Sequence, residues 1–181
     1  MKNKNLQIAT LGGGCFWCTE AVFLELEGVK TVTSGYIGGK TVNPSYSDIC
    51  TGNTGHAEAI QITFDPNKIS FGELLEVFFA THDPTTLNRQ GNDMGTQYRS
   101  EIFYHNASQK KASEDYIALL TKENTFGKPI VTVISEATKF YEAEDYHQNY
   151  YNQNQSQGYC SYVITPKVEK VRKLFKDKLK K

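Results

Sequence analysis

Near the start of the chain three consecutive glycines lead into a cysteine, two aromatics and a second cysteine: Gly12-Gly13-Gly14-Cys15-Phe16-Trp17-Cys18. A glycine-rich turn that opens a helix offers backbone N–H groups with no partner inside the helix, together with the positive end of the helix dipole. Both favour thiolate over thiol, so a cysteine at that junction is a candidate nucleophile. Cys15 holds that place. Phe16 and Trp17, the latter the only tryptophan of the chain, could wall a small apolar pocket beside it. Taken alone, the segment equally suits a small buried thiol at a tight turn, with the aromatics packed in a core.

Cys15 and Cys18 also make a Cys-x-x-Cys pair, which opens two further chemistries. A dithiol oxidoreductase places such a pair between a strand and a helix, as here, but commonly with Pro or Gly where this chain has Phe-Trp. A zinc knuckle needs a second Cys or His pair. Cys50, Cys160 and the four histidines (His56, His82, His105, His147) show no ligand spacing, so no metal is expected. Cys50 reads as a buried structural thiol. Cys160 follows a Gln/Asn-rich stretch, 152–157, that could carry a distant thiol to the site.

The elements that must position these residues follow from hydrophobic patterning. Residues 6–11 read as a strand, and 15–26 as a helix closed by Gly28. Strands are expected over 29–36 and 57–64, with turn chemistry at Gly38-Gly39 and Asn43-Pro44-Ser45 between them. Ser70 and Glu73 form a capping-box signal for a helix carrying Phe71, Leu74, Leu75 and Phe78. Residues 81–97 look like a long ordered loop. A strand over 98–104, a helix over 107–121 and a strand over 130–135 follow. A short helix is expected over 143–152 and an extended piece over 159–164, before Thr165-Pro166 caps a Lys-rich amphipathic helix. The order strand, helix, strand, strand, helix, strand predicts an α+β two-layer sandwich. Its core is a ferredoxin-like split βαβ unit, with an added helix and strand and an extended C-terminal segment.

At 181 residues the chain fits one catalytic domain, 1–181, with a core over about 5–136 and a C-terminal segment over 137–181. Lys+Arg and Asp+Glu each total 20, a balance that gives no reason to expect nucleic acid or a membrane surface as partner. No window approaches the roughly 20 apolar residues of a membrane span, and no apolar leader precedes Leu11. A cytoplasmic monomer is the expectation. The 11 tyrosines hint at a site that offers hydroxyls beside an apolar surface.

The Gly-Cys-Phe-Trp-Cys segment resembles that of the peptide-methionine (S)-S-oxide reductases, the A-type methionine sulfoxide reductases, and further blocks agree in order. They include Gly35-Tyr36-Ile37-Gly38-Gly39, Asn43-Pro44-Ser45-Tyr46, Gly55-His56-Ala57-Glu58-Ala59, His82-Asp83-Pro84-Thr85-Thr86, Arg89-Gln90-Gly91-Asn92-Asp93, Gly95-Thr96-Gln97-Tyr98-Arg99-Ser100 and Glu144-Asp145-Tyr146-His147-Gln148. The resemblance implies that Glu58 is an essential acid, Tyr46 and Tyr98 substrate-orienting hydroxyls, and Asp93 a water-holding carboxylate. Phe16 and Trp17, with His147, would surround the substrate. Cys160, in Gly158-Tyr159-Cys160, matches a common resolving cysteine, although this chain continues into a Lys-rich helix where the family's ends vary. Preference for the S epimer comes with the resemblance alone. So do the substrates, oxidised proteins and peptides or free methionine sulfoxide, and thioredoxin as reductant; no bound cofactor is implied, and dithiothreitol would serve in its place.

The chemistry wants these residue types. A sulfoxide sulfur is electrophilic only once its oxygen is hydrogen-bonded or protonated, so a thiolate alone is not enough. A carboxyl kept protonated by an apolar pocket supplies the proton, and phenols add hydrogen bonds that strengthen as charge grows on oxygen. The expected sequence is attack by Cys15, a Cys15 sulfenic acid, a disulfide with a second thiol, and reduction by an external dithiol. Cys160 is the favoured second thiol. Cys18, one helical turn from Cys15, is the alternative, and is otherwise a bystander.

Overall fold

A computed structural model describes residues 5–181; the first four residues of the expected 1–181 domain lie outside the described residues. β1 (Gln7–Gly13), α1 (Phe16–Phe23), β2 (Val29–Ile37), β3 (Ala57–Phe64), α3 (Phe71–Thr81) and β6 (Ser100–Tyr104) form the expected core, with α2 (Tyr46–Cys50) between β2 and β3. Four strands run β6-β1-β3-β2, each antiparallel to its neighbours, with α1 and α3 as the two crossover helices. That is the ferredoxin-like split βαβ arrangement. α4 (Ala107–Lys122) then returns the chain to β7 (Val133–Glu136), parallel to β6 on one edge, and β8 (Tyr141–Glu142) lines the other edge beside β2.

β3 lies in the middle of the sheet, and its alternation sorts the two faces. Ile60, Ile62 and Phe64 join Leu11, Phe16, Phe23, Leu74 and Phe78 in the main core under the helices. Ala57 and Ala59 pack instead with Ile37 and Phe103, near Phe140. Glu58 has the parity of Ile60, so its carboxyl projects towards the helix layer. The chain at 140–141 approaches β2 so closely that a Cβ on Gly35 would lie 2.4 Å from the Tyr141 carbonyl oxygen. Only glycine fits there.

Several expected elements are corrected. α1 stops at Phe23, short of residue 26, because after Leu24 the bonds tighten: the Glu25 and Leu26 N–H groups donate to the Val22 and Phe23 carbonyls, three residues back. α2 follows the expected turn at Asn43-Pro44-Ser45 where no helix was expected; Ser45 and Asp48 form a capping box with both hydrogen bonds made. The expected loop 81–97 contains a small hairpin, β4 (Arg89–Gln90) with β5 (Asp93–Met94). Over 143–152 the helix is broken by Asn149 at φ 55°, leaving α5 (Tyr150–Gln153).

The largest departure is at 159–164, expected to be extended. Cys160–Ile164 is a π-helical turn that runs directly into α6 (Thr165–Leu174), so Thr165-Pro166 caps no free helix start. Cys160, Ile164 and Val168 are buried against Cys18, Ala21 and Tyr151, and this packing overrides the β-forming tendency of Tyr162-Val163-Ile164. The Thr165 hydroxyl donates to the Cys160 carbonyl at 3.1 Å and satisfies part of the widened turn. α6 and the chain beyond it are tied back to the core by the Arg172–Glu25 and Lys178–Glu73 ion pairs, at 2.6 and 2.7 Å.

Candidate active site

Cys15 is the N-cap of α1, in extended conformation, and its carbonyl accepts from the Cys18 N–H at 3.0 Å. Gly14 reaches this turn at φ +95°, where an added Cβ would lie 2.6 Å from the Gln90 side chain. The next amide does not serve the sulfur: the Phe16 N–H donates to Glu58 Oε1 at 3.1 Å. Burial pushes the Cys15 thiol well above its ordinary range, with the Cys18 hydrogen bond and the Glu58 charge adding to it. The Trp17 amide of the helix start pulls the other way, favouring the thiolate as expected. The hydrogen bond from Cys15 brings Cys18 down to about 7 against its burial, helped by the Lys167 charge and the Tyr159 hydroxyl.

Glu58 is 1% exposed, and burial raises its carboxyl to about 8 in spite of the Phe16 N–H. It holds its proton at neutral pH. Tyr46 opens α2 and Tyr98 ends the 3-10 turn Thr96–Tyr98. Burial and then the charge of Glu58 push both phenols up, so both hydroxyls remain donors beside the acid. Glu144, whose role sequence reasoning missed, holds this corner together. Its carboxylate accepts from the Tyr46 N–H at 2.8 Å and the Tyr36 hydroxyl at 2.9 Å. Cys50 is exposed, not buried as expected, and its thiol meets the Tyr46 hydroxyl.

Trp17 Nε1 donates to His147 Nδ1 at 3.0 Å, and its ring stacks on Tyr150 at 3.7 Å and 6°. His147 is fully buried among Phe16, Trp17 and Tyr46, with ring centroids 5.1, 5.7 and 4.5 Å away. Because Nδ1 accepts, Nε2 carries the proton, and among the described residues no hydrogen-bond partner faces it. Burial lowers the His147 pKa and keeps the ring neutral.

On the other side of the cysteines, the Tyr159 hydroxyl donates to Asp93 Oδ2 at 2.6 Å and lies 3.6 Å from Cys18 Sγ. Cys15, Cys18, Gln90, Asp93, Tyr159 and Lys167 line a cavity of about 340 Å³. Tyr159 carried no signal in the sequence beyond its place before Cys160. Cys160 itself is fully buried, and burial and the charge of Cys18 raise its thiol. Among the described residues no group of three or more His, Cys, Asp or Glu side chains is placed to hold a metal ion.

Two thiols at a helix start, facing a protonated buried acid and an aromatic wall, define a thiol-dependent oxidoreductase. A family model described as peptide methionine sulfoxide reductase matches residues 7–179, and the chain belongs to that family. It is 58% identical over 172 residues to the peptide methionine sulfoxide reductase MsrA of Deinococcus radiodurans, covering 95% of this chain and 84% of that one. Its fold is similar to that of methionine sulfoxide reductase A of Corynebacterium diphtheriae, with TM-score 0.80, 34% identity, and coverage of 90% and 81% of the two chains. It is also similar to Mxr1 from Saccharomyces cerevisiae in complex with Trx2, with TM-score 0.55, 25% identity, and coverage of 82% and 87%.

Proposed function

We propose that this enzyme reduces methionine S-sulfoxide, in proteins and as the free amino acid, with Cys15 as nucleophile and Glu58 as acid. The observation that carries this reading is the protonated Glu58 carboxyl fixed by the amide directly after Cys15. As Cys15 sulfur attacks the sulfoxide sulfur, its proton passes along the shared hydrogen bond to Cys18, and Glu58 protonates the oxygen. Tyr46 and Tyr98 donate hydrogen bonds to that oxygen. The oxygen leaves with Cys15 as a sulfenic acid, the methionine thioether is released, and the Glu58 proton is restored from solvent. Phe16, Trp17 and His147 surround the sulfoxide methyl, and Asp93 holds water at the mouth of the cavity.

The sequence favoured Cys160 as the thiol that condenses with the Cys15 sulfenic acid, with Cys18 as the alternative; we propose that both act, in order. Cys18, already in contact, condenses with the sulfenic acid and releases water. Cys160, buried against Cys18, then displaces Cys15, leaving a Cys18–Cys160 disulfide for thioredoxin. The Mxr1 complex with Trx2 supports that reductant. Repair of oxidised proteins by a cytoplasmic monomer is the setting this reading implies. No helix among the described residues is long and apolar enough to cross a membrane.

Cys15→Ser is expected to abolish sulfoxide reduction with dithiothreitol as donor while peptide binding survives; retained turnover would remove Cys15 from its central role. Peptide mapping after one equivalent of substrate should find the Cys18–Cys160 link, and Cys15–Cys18 in Cys160→Ser. A direct Cys15–Cys160 link in the unmodified enzyme would overturn the relay. The Cys15–Cys18 pair also favours a second reading, a general dithiol reductase, which requires insulin-type disulfide reduction independent of Glu58.

A further inference from the structure

Beside the cavity at Cys15 and Cys18 lies a larger groove of about 650 Å³ that the chemistry above does not use. Its floor is apolar, formed by Phe79, Phe126 and Pro166, and its rim carries Lys128, Lys167 and Lys170. None of these lysines forms an ion pair among the described residues. The one carboxylate on the rim, Asp83, is engaged by the Thr85 N–H and hydroxyl and feels the Lys128 charge. In a chain of zero formal net charge this is a local excess of positive charge.

The groove adjoins the cavity that reaches Cys15 and Cys18 on the side of Asp93 and Tyr159. Gln90 and Lys167 line both spaces, and the Lys167 charge reaches Cys18 on one side and His82 on the other. Lys170 stands about one helical turn further along α6, on the groove alone. A free amino acid held at Cys15 does not extend to the groove; a polypeptide running from Cys15 past Gln90 and Lys167 enters it.

We propose that this groove holds the polypeptide flanking an oxidised methionine and selects substrates with acidic residues within a few positions of it. The inference rests on the catalytic reading above. Apolar side chains of the flanking segment settle on Phe79 and Phe126, while Asp or Glu side chains meet Lys170 and Lys128.

The test uses acetylated peptides with one methionine sulfoxide flanked by glutamates or by lysines, together with N-acetylmethionine sulfoxide, each with dithiothreitol and, in parallel, with thioredoxin as reductant. We expect kcat/KM at least tenfold higher for the acidic peptide, expressed in KM and shrinking with added salt. In the Lys128→Glu/Lys170→Glu double variant the preference should vanish or reverse, with N-acetylmethionine sulfoxide turned over as before. The milder Lys128→Gln/Lys170→Gln pair should fall between. A preference absent from the unmodified enzyme, or one surviving in the double variant, would refute the proposal. So would an effect confined to assays with thioredoxin, which would assign the groove to the reductant. Failure of the unmodified enzyme to reduce N-acetylmethionine sulfoxide would count against the catalytic reading instead.

Discussion

Glu58 keeps its proton near neutral pH because it shares the strand face of Ile60, Ile62 and Phe64, where water does not reach. Activity should therefore rise through about 7, as the cysteine pair loses its first proton, and fall through about 8, as Glu58 loses its own. A bell-shaped kcat/KM profile checks this, and Glu58→Gln should remove the alkaline limb and lower the rate about 10²–10⁴-fold. The same group has a stability consequence. Its folded pKa lies above its ordinary 4.5, so the folded protein holds a proton that the unfolded chain releases, and stability falls as pH rises from about 4.5 to 8. Above pH 8 the Glu58→Gln protein should be the more stable, by on the order of 3–5 kcal/mol in urea titrations. The positions of Cys15 and Glu58 were legible in the sequence. The proton distribution was not, since Glu58, Asp93, Tyr159 and Lys167 reach the two thiols from elements far apart in the chain.

Side-chain chemistry at an element's end was read correctly at α3 but overlooked at α2, whose Ser45 and Asp48 box is as complete. The Ser70 and Glu73 capping box starts α3 as expected, both of its hydrogen bonds being made at 3.0 Å. The alternation of β3 gave its span because its two faces differ in kind, large aliphatic residues against alanines. α1 and the π turn at Cys160 were misread for the opposite reason: burial on all sides of α1 erased its periodicity, and packing against Cys18 and Tyr151 decided the fate of Cys160–Ile164. A test at this scale is Gly35→Ala. Its methyl would overlap the Tyr141 carbonyl and the Phe140 ring, so β8 would have to detach, and Glu144 would lose its hold on Tyr46 and Tyr36. Denaturant titration should show a loss of about 3 kcal/mol, with a raised KM for sulfoxide.

For the whole molecule, element order alone carried the ferredoxin-like core, because each split βαβ half is contiguous in sequence. The way the C-terminal segment closes over that core was not legible. Its contacts join residues more than a hundred positions apart, as Arg172–Glu25 and Lys178–Glu73 do. Val168 and Val171 are buried beneath α6, so ending the chain at residue 164 should cost on the order of 3–6 kcal/mol from these two side chains, read as a lowered urea midpoint. The closure has one more consequence. The only indole of the chain is clasped by Tyr150 and His147, both carried by the segment that ends in Cys160. When that segment shifts to let Cys160 reach another sulfur, stacking and hydrogen bond change together. The enzyme thus contains its own optical gauge, and intrinsic fluorescence in a stopped-flow cell should follow each oxidation and reduction of a single turnover without any label.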